Sequence, residues 1–314
     1  MKLKSKTLQT VVVVLVILVI FSFMGRGLWK NWRQIPFEQV HFNYWLLIVS
    51  YLCLFGWFAT FAGAWKLILA AYGSHLRFFR AFQIMAVSNL GKYIPGKVWF
   101  TLGRMYLAKQ FGVPERISIA GVVLETLLLV ISAGMIGLLT VAGPWMEQVP
   151  FRVSVLALVV VLCGLLVVHP RIFGRLANFA LRKLKRDEIQ MNLSYGGIVG
   201  LLVLYFVVWL WQGIGFFFLI RSFYEIEIAQ WPFFWGIYTL AWMIAFLSLL
   251  TPGGLGVREG IMIFFLSFYM PVSMAIIVAV LARVWTTIAE LAFFSISTLG
   301  MRRRRGKQLE MEGR

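Results

Sequence analysis

Long runs of apolar residues fill most of this chain, and they are longer than a strand or a soluble core helix needs. A hydrocarbon core about 30 Å thick takes about 20 apolar helical residues. Stretches of that kind fall at about 8–25, 43–65, 117–142, 153–169, 196–220 and 273–299. Two further apolar stretches, at about 78–112 and 230–270, are broken in the middle. The first break is Gly91-Lys92-Tyr93-Ile94-Pro95-Gly96-Lys97, and the second runs from Thr251-Pro252-Gly253-Gly254 to Arg258-Glu259-Gly260. Proline removes an amide donor and glycine admits turns that other residues resist, so each stretch reads as two half-helices joined by a loop. Such a loop at membrane depth must be buried in protein or line a watery cavity, because lipid satisfies no backbone polar group. The pattern predicts an all-α polytopic membrane protein, with about six full transmembrane helices plus two Gly/Pro-broken re-entrant hairpins.

Composition agrees: 61% of the 314 residues are hydrophobic and 13% are charged, whereas soluble domains carry about 25% charged residues. The mean hydropathy of +0.85 excludes a soluble nucleic-acid-binding domain despite a net charge of +18. The charge is instead a topology signal. Lys and Arg gather at 2–6, 77–116, 171–186 and 302–307, while 143–152 and 221–230 are sparse and 25–42 is a mild exception. If both broken stretches return to the side they left, residues 1–7, the basic linker 170–195 and the basic tail 300–314 all lie in the cytoplasm, as the positive-inside rule prefers. If each crossed once, the 170–195 cluster would lie outside. The first apolar run, preceded by Lys2, Lys4 and Lys6, reads as a retained signal anchor, with a cleaved signal peptide as the alternative. The basic clusters are expected to meet anionic phospholipid.

A repeat is visible at an offset of 157 residues: Leu90, Pro95, Gly96, Gly103, Phe111 and Pro114 match Leu247, Pro252, Gly253, Gly260, Phe268 and Pro271. With the re-entrant topology the two copies, about 43–142 and 196–299, are inverted within one membrane domain spanning 1–314. Many transporters use that arrangement for alternating access. Chance similarity between two Gly/Pro-interrupted apolar segments is the alternative.

Ionisable residues at bilayer depth cost roughly 2.5–3.5 kcal/mol each, so they face an interior and find partners. Here they are Lys66, Lys92, Lys97, Arg104, Glu125, Arg258, Glu259, Arg283 and Glu290. Arg283 and Glu290 share one helix face but stand two turns apart, so each should meet a charge on another element. Arg104 and Arg258 are the expected partners of Glu125. Lys66 ends its span and snorkels to the interface. Two readings of the rest stand side by side: ion pairs that lock helices together, or a polar chamber for an anionic headgroup. In the second, Lys92, Lys97, Arg104 and Arg258 attract the headgroup beside the backbone of Pro95, Gly96, Pro252, Gly253 and Gly254. Glu125, Glu259, Arg283 and Glu290 then balance charge or couple protons.

Other chemistry finds little support. Gly91 to Val98 nearly matches a phosphate-binding loop, but Val98 replaces the Mg²⁺-holding hydroxyl and the flanks are membrane helix. His41, His75, His169, Cys53 and Cys163 show no metal or disulfide spacing, and no lipase elbow occurs. Neither a metal, a cofactor nor a catalytic constellation is expected. The aromatic content fits interfacial belts better than base stacking, and no nucleic-acid partner is expected.

The run Asn89 to Trp99 followed by Gly103-Arg104, together with Thr251 to Gly260, resembles the two signatures of the lysylphosphatidylglycerol synthase transmembrane family, which is flippase-like. The resemblance covers about 5–300 and maps onto Lys92, Pro95, Gly96, Arg104, Pro252, Gly253, Gly254, Arg258 and Glu259. It implies a multi-pass protein of a prokaryotic inner membrane that moves a lipid or helps a lipid-modifying enzyme reach one. Founding members add a soluble aminoacyltransferase domain; this sequence shows none, so that activity is not carried over. The expected function is translocation of an amphipathic, anionic phospho- or polyprenyl-linked lipid, driven by a gradient. The alternative is a membrane-embedded enzyme or accessory subunit for lipid-linked sugar or phosphate transfer, with Glu259 as its carboxylate.

Overall fold

The computed structural model describes residues 42–93, 99–145, 169–183, 194–248 and 256–312, together with a few isolated positions that include 188 and 254. The described residues are all-helical. Four helices are long and apolar enough to cross a membrane: α1 (Tyr44–Ala71), α4 (Glu115–Trp145), α6 (Tyr195–Arg221) and α9 (Val272–Glu312), the last apolar over Val272–Thr298. The expected spans at 8–25 and 153–169 lie almost wholly outside the described residues, as do Cys163 and His41.

Two of the four long helices start where the sequence supplies a cap. Asn43 Oδ1 accepts from the Trp45 and Leu46 amides at the head of α1, and Ser194 Oγ accepts from Gly197 at the head of α6, satisfying amides that have no intrahelical partner. Lys66 was expected at the end of its span, but α1 continues to Ala71, because Leu67 to Ala71 are themselves apolar helix formers. On the outer face of α1, Ile48, Leu52 and Phe55 are exposed at helical spacing, a stripe suited to lipid.

α1 and α6 run antiparallel along their whole length. Phe42 meets Phe223, the Asn43 amide donates to the Ser222 carbonyl, Gly56 lies under the Trp211 ring, and Gly215 backs onto Ser50 and Cys53. A Cβ on Gly56 would stand 2.9 Å from Trp211, so a glycine is what permits this approach. α4 and α6 run in the same direction: Trp209 Nε1 donates to Ser132 Oγ at 3.0 Å and to the Leu129 carbonyl.

Both broken stretches fold into antiparallel helical hairpins. The first consists of α2 (Phe78–Ser88), a 3-10 turn (Asn89–Tyr93) and α3 (Trp99–Lys109). Arg80 stacks over Phe111, Ser88 faces Gly103, and Gly91 faces Trp99 and Phe100. The second pairs α7 (Trp231–Leu247) with α8 (Val257–Leu266): Phe233 stacks on Tyr269 near its mouth and Ala245 meets Gly254 near its tip. Each arm of the first hairpin is 11 residues, about 16 Å, which is half a hydrocarbon core. The two mouths lie at opposite ends of the bundle. One follows Ala71 at the foot of α1, and the other follows Arg221 beside Asn43 at its head. A fifth helix in chain order, α5 (Pro170–Lys183), precedes α6.

Candidate functional site

The two hairpins point at each other, and α9 runs past both tips. Arg283 and Glu290 stand on one face of α9, as their spacing requires. Toward the first hairpin, Glu290 accepts from Lys92 Nζ and from the Tyr93 hydroxyl at 2.8 Å, and the Arg283 guanidinium lies 5.5 Å from the Tyr93 ring centroid. Toward the second, Arg283 Nη1 is 3.7 Å from Glu259 Oε1. The other Glu259 oxygen accepts from the Gly256 amide at 2.8 Å and caps α8, which favours a carboxylate at a helix N-terminus. Gly256 and Gly254 have φ of +82° and +71°, the left-handed conformation that lets the chain turn into α8 at once. One arginine of α9 therefore touches both hairpin tips.

A second cluster lies deeper on the first hairpin's side. Arg104 of α3 is only 1% exposed. Its Nη1 lies 2.7 Å from each oxygen of Glu125 on α4, its Nη2 donates to Asn89 Oδ1 at 3.0 Å, and its Nε donates to Ser88 Oγ at 3.4 Å. The guanidinium also lies 5.2 Å from the Trp65 ring of α1. A buried charge surrounded this fully holds three elements together.

Between the clusters is a cavity that is partly open to its surroundings. Lys92, Arg104, Arg258 and Arg283 line it with a single carboxylate, Glu125. The rest of the wall is largely aromatic, with Trp57, Phe61, Phe100, Trp209, Trp242 and Phe246. Arg258 enters from the second hairpin, 8% exposed, with its guanidinium 4.5 Å above the Tyr238 ring. Tyr238 in turn accepts from Gln212 Nε2 at 3.0 Å. Cations beside aromatic walls suit a ligand with an anionic head and an apolar body.

Of the site residues expected from sequence, Lys92, Arg104, Glu125, Gly254, Arg258 and Arg283 meet at the cavity, and Glu259 and Glu290 stand immediately behind it, bound to its cations. Pro95, Gly96, Lys97, Pro252 and Gly253 lie outside the described residues. Sequence reasoning missed Trp65, Asn89, Tyr93 and Tyr238 as partners of these charges. Aromatic residues in apolar spans give no signal of their own, and only the placement of Asn89 and Tyr93 inside the broken motif offered a hint. Among the described residues no three His, Cys, Asp or Glu side chains gather as a metal site.

Comparison with curated proteins found no match. A family model described as the lysylphosphatidylglycerol synthase TM region matches residues 8–293, and with the broken-helix motifs of both hairpins inside that span, the chain belongs to this family of membrane proteins.

Proposed function

We propose that the protein moves an amphipathic, anionic lipid between leaflets of a prokaryotic cytoplasmic membrane and leaves it chemically unchanged. The carrying observation is the cavity, cationic and aromatic at once, held between two hairpins whose mouths lie at opposite ends of the bundle. In this reading both hairpins are re-entrant. The first opens to the cytoplasm, since its mouth carries Arg77, Arg80, Lys109 and Arg116 against Glu115, while the other mouth carries Arg221 against Glu225 and Glu227. The antiparallel packing of α1 and α6 supports the same topology, because two re-entrant hairpins leave these helices crossing in opposite directions. Both chain ends then lie in the cytoplasm, and the basic linker and tail rest on anionic phospholipid. Alternate opening of the cavity past one hairpin and then the other would carry a headgroup across while its chain stays against the aromatic wall.

The test is a leaflet-asymmetry assay in proteoliposomes with headgroup-labelled phosphatidylglycerol and a membrane-impermeant quencher. Protein-dependent quenching of the inner-leaflet pool, with unaltered lipid masses by mass spectrometry, supports the reading. Quenching confined to the outer leaflet, or lipid of changed mass, overturns it.

A further inference from the structure

The charges around the cavity do not cancel. Among the described residues this layer holds four cations, Lys92, Arg104, Arg258 and Arg283, against three carboxylates, Glu125, Glu259 and Glu290. Each carboxylate is committed. Glu125 faces Arg104, Glu290 receives Lys92 and Tyr93, and Glu259 caps α8 and faces Arg283. The cation left over is Arg258. It is more than nine-tenths buried, it lines the cavity, and its Nη2 is a buried donor with no hydrogen-bond partner. Tyr238 supports the positive charge through its ring and a side-chain hydrogen bond, but Nη2 is left without an acceptor. A buried charged donor without an acceptor is costly, and a guanidinium fork is matched by the paired oxygens of a phosphate or carboxylate.

We infer that Arg258 is the ligand for the lipid's anionic head, and that the site is balanced for one negative charge, as on a phosphodiester, in preference to a phosphomonoester or a diphosphate. This rests on the translocation reading for the lipid's presence, and it divides the cationic wall by role. Arg104 lines the same cavity with every nitrogen engaged, so it positions α3 and α4 and receives no headgroup. Lys92 and Arg283 face carboxylates that a second negative charge would have to displace. A dianion at Arg258 would leave one charge uncompensated in a low-dielectric site, where repulsion from Glu259 on the neighbouring position weighs most. Both a lipid headgroup and free inorganic phosphate carry the required oxygens. The aromatic wall beside Arg258 favours the lipid.

The experiment uses the full chain in phosphatidylcholine nanodiscs doped with phosphatidylglycerol or phosphatidic acid, with retained lipid read by native mass spectrometry and inorganic phosphate added in a third arm. Phosphatidylglycerol should be enriched over phosphatidylcholine by about tenfold or more, phosphatidic acid less, and phosphate should not displace it. Arg258→Gln should abolish the enrichment, and Lys109→Gln, the same charge change on an exposed pair, should keep it. Should Arg258→Gln fail to fold, Arg258→Lys takes its place, keeping charge without the fork and weakening retention several-fold. Enrichment that persists in Arg258→Gln, or that Arg258→Lys leaves undiminished, overturns the assignment, as does stronger retention of phosphatidic acid or displacement by phosphate. Lipid movement by the wild type without phosphatidylglycerol enrichment sinks the Arg258 assignment and leaves translocation standing. Enrichment without movement does the reverse.

Discussion

Arg104 and Arg258 follow the two broken loops, are both buried, and both line one cavity, yet their surroundings are opposite. Arg104 meets a carboxylate with two short contacts, an amide oxygen, a hydroxyl and an indole ring. Arg258 rests on a tyrosine ring and keeps a nitrogen without an acceptor. In the proposed reading the same residue type in the same setting serves two ends. A satisfied arginine joins helices, and an unsatisfied one is a place where a ligand completes the structure. Burial alone does not separate the two cases; the acceptor count does.

The largest effect should come from breaking the satisfied side. Glu125→Ala leaves Arg104 buried beside Trp65 without its carboxylate, and removing one member of a buried pair costs about 3–5 kcal/mol. Thermal unfolding in detergent should show a large fall. The double change Arg104→Leu with Glu125→Leu should recover most of it, since two apolar side chains of similar volume remove the stranded charge. A double variant as unstable as Glu125→Ala would mean that the pair matters for something other than mutual neutralisation.

A middle-sized effect should come from the turn that aims Arg258. Gly254 has φ +71°, and a Cβ there would stand 2.8 Å from the Ala245 Cβ. Gly254→Ala should therefore cost about 1–2 kcal/mol in backbone strain and should push the tip of the second hairpin away from α7. Lipid movement should fall further than stability does, because Arg258 follows four residues later. Equal losses in both would mean that the turn only supports the fold.

How far the sequence reaches is clear from particular residues. The two breaks were legible because Pro95, Pro252 and their glycines fall within long, largely apolar runs, and the described residues on either side of each break form the two arms of a hairpin. The partner of Glu125 was half legible. Arg104 and Arg258 stood as equal candidates, and choosing between them needs the fold of the first hairpin, which sets Arg104 of α3 against α4. The seven-residue spacing of Arg283 and Glu290 announced a shared face and two separate partners, and Glu259 and Lys92 are those partners. The difference in surroundings between Arg104 and Arg258 was illegible. It depends on Asn89, Ser88, Trp65 and Tyr238, which are ordinary residues of apolar helices until tertiary packing brings them to a charge.

The smallest stability change should fall on Arg258, the arginine that the proposal assigns to the ligand. Arg258→Gln removes a cation–π contact worth about 0.5–2 kcal/mol, and it also removes a buried charge one of whose nitrogens lacks an acceptor, which is a gain of similar size. The glutamine amide is short enough to sit on Tyr238 and neutral enough to need no counter-charge. The net change in unfolding free energy should stay within about 1 kcal/mol of zero, several-fold smaller than for Glu125→Ala. Unfolding by denaturant in mixed micelles, at matched lipid content, measures both variants on one scale. If Arg258→Gln costs as much as Glu125→Ala, Arg258 is a second lock, and the contrast between the two arginines disappears. If it is near neutral while lipid movement is lost, the excess positive charge at the cavity is there for the ligand.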